Sequence, residues 1–129
     1  MKRGDELMRR ILRWVIAAMR FVDSVPRTTA TISITKQLAD SVGSVGANFV
    51  EARAARSKKE FASSVGISAK ECREGLFWLT VLRELALVSA ERIESLLREG
   101  EELAKILTTI AKNAKLVRDP QHSSLTIPH

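Results

Sequence analysis

Apolar residues recur along most of this chain at intervals of three and four, the spacing that keeps side chains on one face of an α-helix. Over residues 4–25 the recurring set is Leu7, Ile11, Val15, Ala18, Val22 and Val25, and Pro26 ends the run. Met8, Leu12 and Met19 widen the apolar arc on one side and Trp14 widens it on the other. The arc is broader than one packing contact needs. Residues 37–55 belong to an expected second helix. Leu38, Val42, Val45, Phe49 and Ala52 form its apolar stripe. Gln37, Ser41, Ser44, Asn48 and Glu51 line a polar face, and Ala39, Gly43, Gly46, Ala47, Val50 and Ala54 fill the remaining side with small groups. No face of this helix carries the charged residues that an outer helix turns to water. Two readings fit: a glycine-tolerant core helix with solvated serines, or a central helix packed inside its own subunit and also against a neighbour.

The second reading predicts close packing at Gly43, Gly46 and Ala47, within the subunit or between subunits, because mid-helix glycine costs about 1 kcal/mol against alanine. It also predicts a buried hydrogen-bonded network of Gln37, Ser44, Asn48 and Glu51, with Lys70 or Arg73 as the cationic partner a buried Glu51 needs. Residues 26–36 are rich in β-branched side chains, but a lone strand without a partner is not stable. They are expected to be a loop entering the second helix near Thr29 to Ser33.

Ser57-Lys58-Lys59-Glu60 matches a capping box and opens a third helix. Val65, Ala69, Cys72, Leu76, Leu79 and Leu82 carry its stripe to about Leu87, with Trp78, Val81 and Leu85 as a flank. Val88 and Ser89 make a turn. A fourth helix follows over about 90–117 on Ile93, Leu96, Leu97, Leu103, Leu107, Ile110, Ala114 and Val117. Its other faces alternate Glu with Lys and Arg, as solvated helices do. The fold class is therefore all-α, an antiparallel up-down four-helix bundle over residues 1–117, with a mobile tail over 118–129.

Composition agrees with one domain: 129 residues, 45% hydrophobic and 28% charged. The single cysteine, Cys72, lies on an apolar stripe and reads as a buried inert thiol. One cysteine leaves no disulfide framework, and a cytoplasmic protein is expected. No signal peptide is read, because the apolar run Trp14 to Met19 is short and flanked by arginines. No run reaches the length of a membrane span, so no membrane partner is expected.

The net charge is +6 and the pI about 10. Residues 1–36 hold eight Lys/Arg against three Asp/Glu, and from residue 61 onward the two kinds balance at nine each. On the first helix Lys2, Arg9, Arg13 and Arg20 fall on one face, opposite the apolar stripe, with Arg10 nearby. Arginines spaced along a rod suit successive phosphates, so these five are the candidate nucleic-acid contacts; a solvated helix face accounts for the same pattern. A second cluster, Arg53, Arg56, Lys58 and Lys59, sits at the junction of the second and third helices.

Chemistry has little foothold. Both histidines, His122 and His129, lie in the tail with no cysteine nearby, so no zinc pattern exists and no catalytic triad forms. No glycine-rich phosphate loop follows a strand. Asn48 and Glu51 share a face and could position a water, although a hydrogen-bonded pair is the plainer reading. The chain is read as a non-enzyme without metal or cofactor.

Three stretches together resemble the four-helix-bundle family encoded by 23S rRNA intervening sequences. They are Gln37-Leu38, the run from Ser41 to Phe61, and the run from Lys70 to Leu82. The family pattern maps onto Gln37, Ser44-Val45, Asn48, Glu51, Ser57, Glu60 and Phe61, and the Trp78-Leu79 pair fits one branch. Many members have glycine after the glutamate where this chain has Ala52, which moves the end of the second helix later. The resemblance implies a left-handed bundle that assembles into a ring, typically a homopentamer, with no known enzymatic activity. Family members are similar to the accessory protein of diversity-generating retroelements, a basic pentameric bundle that binds nucleic acid and a reverse transcriptase. RNA is slightly favoured over DNA as partner, and a protein–protein scaffold is the alternative.

Overall fold

The structure, a computed structural model, describes residues 4–116. Four helices make it up: α1 (Asp5–Ser24), α2 (Thr29–Arg53), α3 (Lys58–Leu85) and α4 (Ala90–Leu116). The expected tail over 118–129 and Lys2 lie outside the described residues.

Local chemistry sets most of the boundaries. Gly4 opens α1 in the left-handed region at φ 90°, and Asp5 and Glu6 occupy its first turn, where the helix dipole favours acids. Val25 is extended, as a residue before proline must be, and α1 stops there. The threonine-rich stretch after Pro26 is helical from Thr29, at the early edge of the expected start. Thr28 Oγ1 accepts from Thr31 N at 3.1 Å and Thr28 N donates to Thr31 Oγ1 at 2.8 Å, a reciprocal box built from two threonines. Thr31 Oγ1 also donates to Pro26 O at 2.6 Å and is buried. Ser57 Oγ accepts from Glu60 N at 3.0 Å, the hydroxyl half of its box, and α3 begins at Lys58. At the far end Ala86 adopts φ 55°, a left-handed stop that ends α3 at Leu85.

Neighbouring helices meet in the order α1–α2, α2–α3, α3–α4 and α4–α1. Paired residues run in opposite senses along each seam. Arg53 pairs with Asp5 while Gly43 lies by Met19. Ser68 meets Val45 while Gly75 meets Ser41 and Val42. Cys72 meets Gly100 while Arg83 pairs with Glu94, and Arg10 pairs with Glu99 while Arg92 reaches Ser24. The architecture is an all-α four-helix bundle, and one hydrophobic core runs its length.

Trp14 holds the middle of that core at 3% exposure. Its indole Nε1 donates to Leu96 O at 3.0 Å, which satisfies the ring's one polar atom. The indole fits because two glycines face it. A Cβ built on Gly100 would stand 2.9 Å from Trp14 Cζ2 and 2.6 Å from Leu76 Cδ2, and one on Gly75 would stand 3.7 Å from Trp14 Cη2. The buried line of α1 is consequently Ile11, Trp14, Ala18, Phe21 and Val25, while Leu7, Val15 and Val22 are only partly covered. The expected stripe was turned too far toward α2, with Trp14 at its margin. The tryptophan, given a glycine slot to enter, turns α1 about its axis.

Candidate functional site

The outward face of α1 is the surface to which the sequence drew attention. Arg9, Arg13 and Arg20 are exposed there. Arg10 is not part of that face. Its Nε donates to Glu99 Oε2 at 3.0 Å and its Nη2 to Glu99 Oε1 at 2.7 Å, a two-pronged bridge to α4. Bonding to the Glu99 carboxylate pushes the Arg10 guanidinium up from its ordinary value. Arg10 therefore anchors α1 to α4 and leaves the candidate contact set. Arginine alone is not what distinguishes the face: Leu12 is 52% and Ile16 is 40% exposed beside the cations, and across the α1–α2 seam Val50 is 51% exposed.

The small-residue side of α2 divides. A Cβ on Gly43 would stand 3.6 Å from Met19 Cε, and one on Gly46 would stand 3.7 Å from Val15 Cγ2 and 3.8 Å from Ile11 Cγ2. Both glycines thus lie under α1 of the same chain, at ordinary contact distance. Ala47 is exposed and takes no part in that seam.

The proposed polar network divides too. Ser44 and Asn48 are half-buried, and Asn48 Nδ2 donates to Ser44 O at 2.9 Å and to Ser44 Oγ at 3.0 Å. Gln37 and Glu51, at the two ends of the same face, are exposed. A buried network of four does not form within the chain, since its two outer members face solvent. Glu51 needs no cationic partner there. Arg73 instead reaches α4, where its Nη1 donates to Thr108 Oγ1 at 2.8 Å, and Lys70 is exposed.

Of the buried polar groups on the α2–α3 seam, the sequence placed Ser41 on the polar face of α2 but did not single out Ser68. Ser41 is buried, and buried Ser68 Oγ donates to Val45 O at 2.7 Å. The signal was serine on the apolar arc of α3, between Val65 and Cys72. Half-buried Glu71 bonds Ser44 from the α3 side. Burial and a hydrogen bond with the neighbouring Glu74 carboxyl push it above the usual carboxylate range. Burial also pushes the Cys72 thiol up to about 12, so little thiolate is present at neutral pH.

Among the described residues no group of three His, Cys, Asp or Glu side chains could hold a metal ion, and no helix is long and apolar enough to cross a membrane. At one end of the bundle a cavity of about 270 Å³ is lined by Phe21, Ser24, Pro26, Leu87, Val88, Ser89 and Arg92. Arg92 lies over the Phe21 ring at 5.4 Å and donates to Ser24 Oγ at 2.9 Å, so its charge serves to tie α4 to the end of α1.

The described residues define the class of small all-α four-helix-bundle proteins. The model of one family in that class, the 23S rRNA-intervening sequence protein family, matches residues 6–109, and the chain belongs to that family. It is similar to a protein of unknown function from the S23 ribosomal protein family of Bacteroides thetaiotaomicron VPI-5482. The crystal structure of that protein matches with a TM-score of 0.75 at 27% sequence identity, over 81% of this chain and 97% of that one. No curated protein matches.

Proposed function

We propose that this chain is a non-catalytic, cofactor-free cytoplasmic protein that assembles with copies of itself and binds nucleic acid on the outward face of α1. The observation that carries the reading is the placement of Arg13 and Arg20. Both are exposed on one face, two helical turns and about 10 Å apart along the axis, and neither makes an ion pair among the described residues. Arg9 is exposed on the same face and extends it toward the start of the helix. Rigidly spaced arginines contact phosphates and supply affinity without base readout. The preference for RNA over DNA rests on the family's name alone, and five copies is the count the family resemblance implies.

A second reading, a scaffold that recruits a partner protein, is favoured by one specific feature. Leu12, Ile16 and Val50 place exposed aliphatic surface beside those arginines, and a phosphate backbone has no use for it. A neighbouring copy would use it, leaving the arginines at the rim.

The test is fluorescence anisotropy of a labelled RNA hairpin and a DNA duplex over a salt series, with light scattering to count subunits. Micromolar or tighter binding with a steep salt slope, abolished in Arg13→Glu with Arg20→Glu at unchanged particle size, is the expected result. No binding at low salt removes the nucleic-acid reading and leaves the scaffold.

A further inference from the structure

One group of cations without partners among the described residues gathers at one end of the bundle. Antiparallel packing brings the end of α2, the first turn of α3 and the last turns of α4 together beside the start of α1. That end presents Arg56, Lys58, Lys59, Lys112 and Lys115, all exposed. None of the five makes an ion pair or hydrogen bond through its side chain among the described residues. The nearby acids are fewer: Asp5 is already paired with Arg53, and Glu6, Glu51 and Glu60 remain. The opposite end also has an exposed cation, Arg27, but more of its charge is engaged. There Arg83 is bridged to Glu84 and Glu94, Arg92 is held by Ser24 and Phe21, and Asp23 and Glu91 accompany them.

Position sharpens the contrast. Lys58 and Lys59 occupy the first turn of α3, where exposed N–H groups and the helix dipole favour acids and disfavour cations. Arg56 precedes them by two residues. Folding alone would place acidic residues here, as it does in the first turn of α1 with Asp5 and Glu6. Two consecutive lysines and Arg56 against the one acid of that turn, Glu60, are the pattern of a surface kept for a ligand of opposite charge.

We infer that this end of the bundle is a second phosphate-contacting surface. Arg56, Lys58 and Lys59 from the α2–α3 turn, together with Lys112 and Lys115 of α4, hold the sugar–phosphate backbone of a nucleic acid. The inference rests on the nucleic-acid reading of α1 and extends it. The start of α1 lies at the same end, so a strand following Arg20, Arg13 and Arg9 arrives at these cations. Contacts of this kind position the strand and read no bases, so the surface adds affinity and salt dependence without sequence preference.

The experiment uses the full chain and a labelled RNA hairpin, with anisotropy read across a potassium chloride series. It compares the unsubstituted protein with Lys58→Glu/Lys59→Glu and with Arg13→Glu/Arg20→Glu. The expected result for the α3 pair is an affinity weaker by about tenfold or more at low salt, with a log–log salt slope shallower by about one for each phosphate that is no longer neutralised. Its melting temperature should hold or rise, because glutamate suits the first turn of a helix; misfolding of the variant would lower it. Lys112→Glu/Lys115→Glu, on a separate helix, should weaken binding in the same way. Affinity and slope unchanged in both end variants, with the α1 pair impaired, overturn this surface and leave the α1 reading standing. Absence of binding by the unsubstituted protein at low salt overturns both.

Discussion

Two seams of α1 contain glycine, and they are not alike. On the α2 side, Gly43 and Gly46 meet Met19, Val15 and Ile11 with a virtual Cβ at 3.6–3.8 Å, ordinary van der Waals contact. On the α4 side, a Cβ on Gly100 would stand 2.6 Å from Leu76 and 2.9 Å from Trp14, closer than atoms can approach. Gly43 and Gly46 draw the eye in the sequence because they fall three apart in a stretch without lysine or arginine between Gln37 and Ala52. Gly100 sits unremarked in a helix full of Glu, Lys and Arg. The difference teaches that a helical glycine is explained by the size of what faces it. Aliphatic side chains of α1 can shift on their rotatable bonds to admit a methyl group. A fully buried indole, fixed by its Nε1 bond to Leu96 O, cannot.

The comparison breaks hardest at Trp14. Trp14→Ala removes the body around which the slot is shaped, and should destabilise by about 3–5 kcal/mol, the range for a large aromatic truncated in a core. Chemical denaturation of the variant measures this. A change below about 1 kcal/mol would mean that α1 seats itself through its α2 seam and Arg10 instead, and the contrast between seams would fall.

Gly100→Ala is the next largest effect and tests the slot from the other wall. Overpacking typically costs about 1–3 kcal/mol, and the methyl group must displace both Leu76 and Trp14. Alanine's better helix propensity offsets about 1 kcal/mol of that, and with two side chains to displace the cost falls at the upper end of the range, so a net destabilisation of up to about 2 kcal/mol is expected. Trp14→Phe in the same background should recover part of it by shortening the ring system. Failure of that rescue would assign the strain to Leu76 alone.

These seams also mark what the sequence could disclose. Four amphipathic stripes with short joints were enough for the fold, because burial of an apolar face needs only the helical period. The start of α2 could be placed only to within Thr29 to Ser33, because threonine and isoleucine favour strand as well as helix. The hydroxyls of Thr28 and Thr31 that close the box sit in that same stretch. The turn of α1 about its axis was not legible, since a wheel gives directions and not the depth of the slot a tryptophan finds. Gly75 and Gly100 did leave a trace, each standing on the buried line of its helix between leucines or cysteine. Arg10 and Arg9 look equivalent along the chain. Only packing against α4 brings Glu99, 89 residues away, to one of them. Gln37 and Glu51 lie on the same wheel face as Ser44 and Asn48 but are exposed, a distinction that angular position alone does not hold.

The smallest effect is the most discriminating, because its sign follows from space alone. Gly66 of α3 would meet nothing within 4 Å on gaining a Cβ, Gly46 would meet Val15 and Ile11 in ordinary contact, and Gly75 would meet Val42 Cγ1 at 3.4 Å. Each lies inside a helix, so each alanine substitution gains the same helix propensity, up to about 1 kcal/mol. They differ only in what the methyl group touches. Gly66→Ala should therefore stabilise by nearly the whole amount, a rise of about 4 °C in melting temperature. Gly46→Ala should stabilise by somewhat less, Gly75→Ala should lie near zero, and Gly100→Ala alone should be clearly negative. Thermal melts of the four variants give the order directly. If Gly46→Ala falls to the level of Gly100→Ala, the α2 seam is as tight as the α4 seam, or a neighbouring copy closes over it. Light scattering on the same sample tells these apart, since only the second case changes the particle's size.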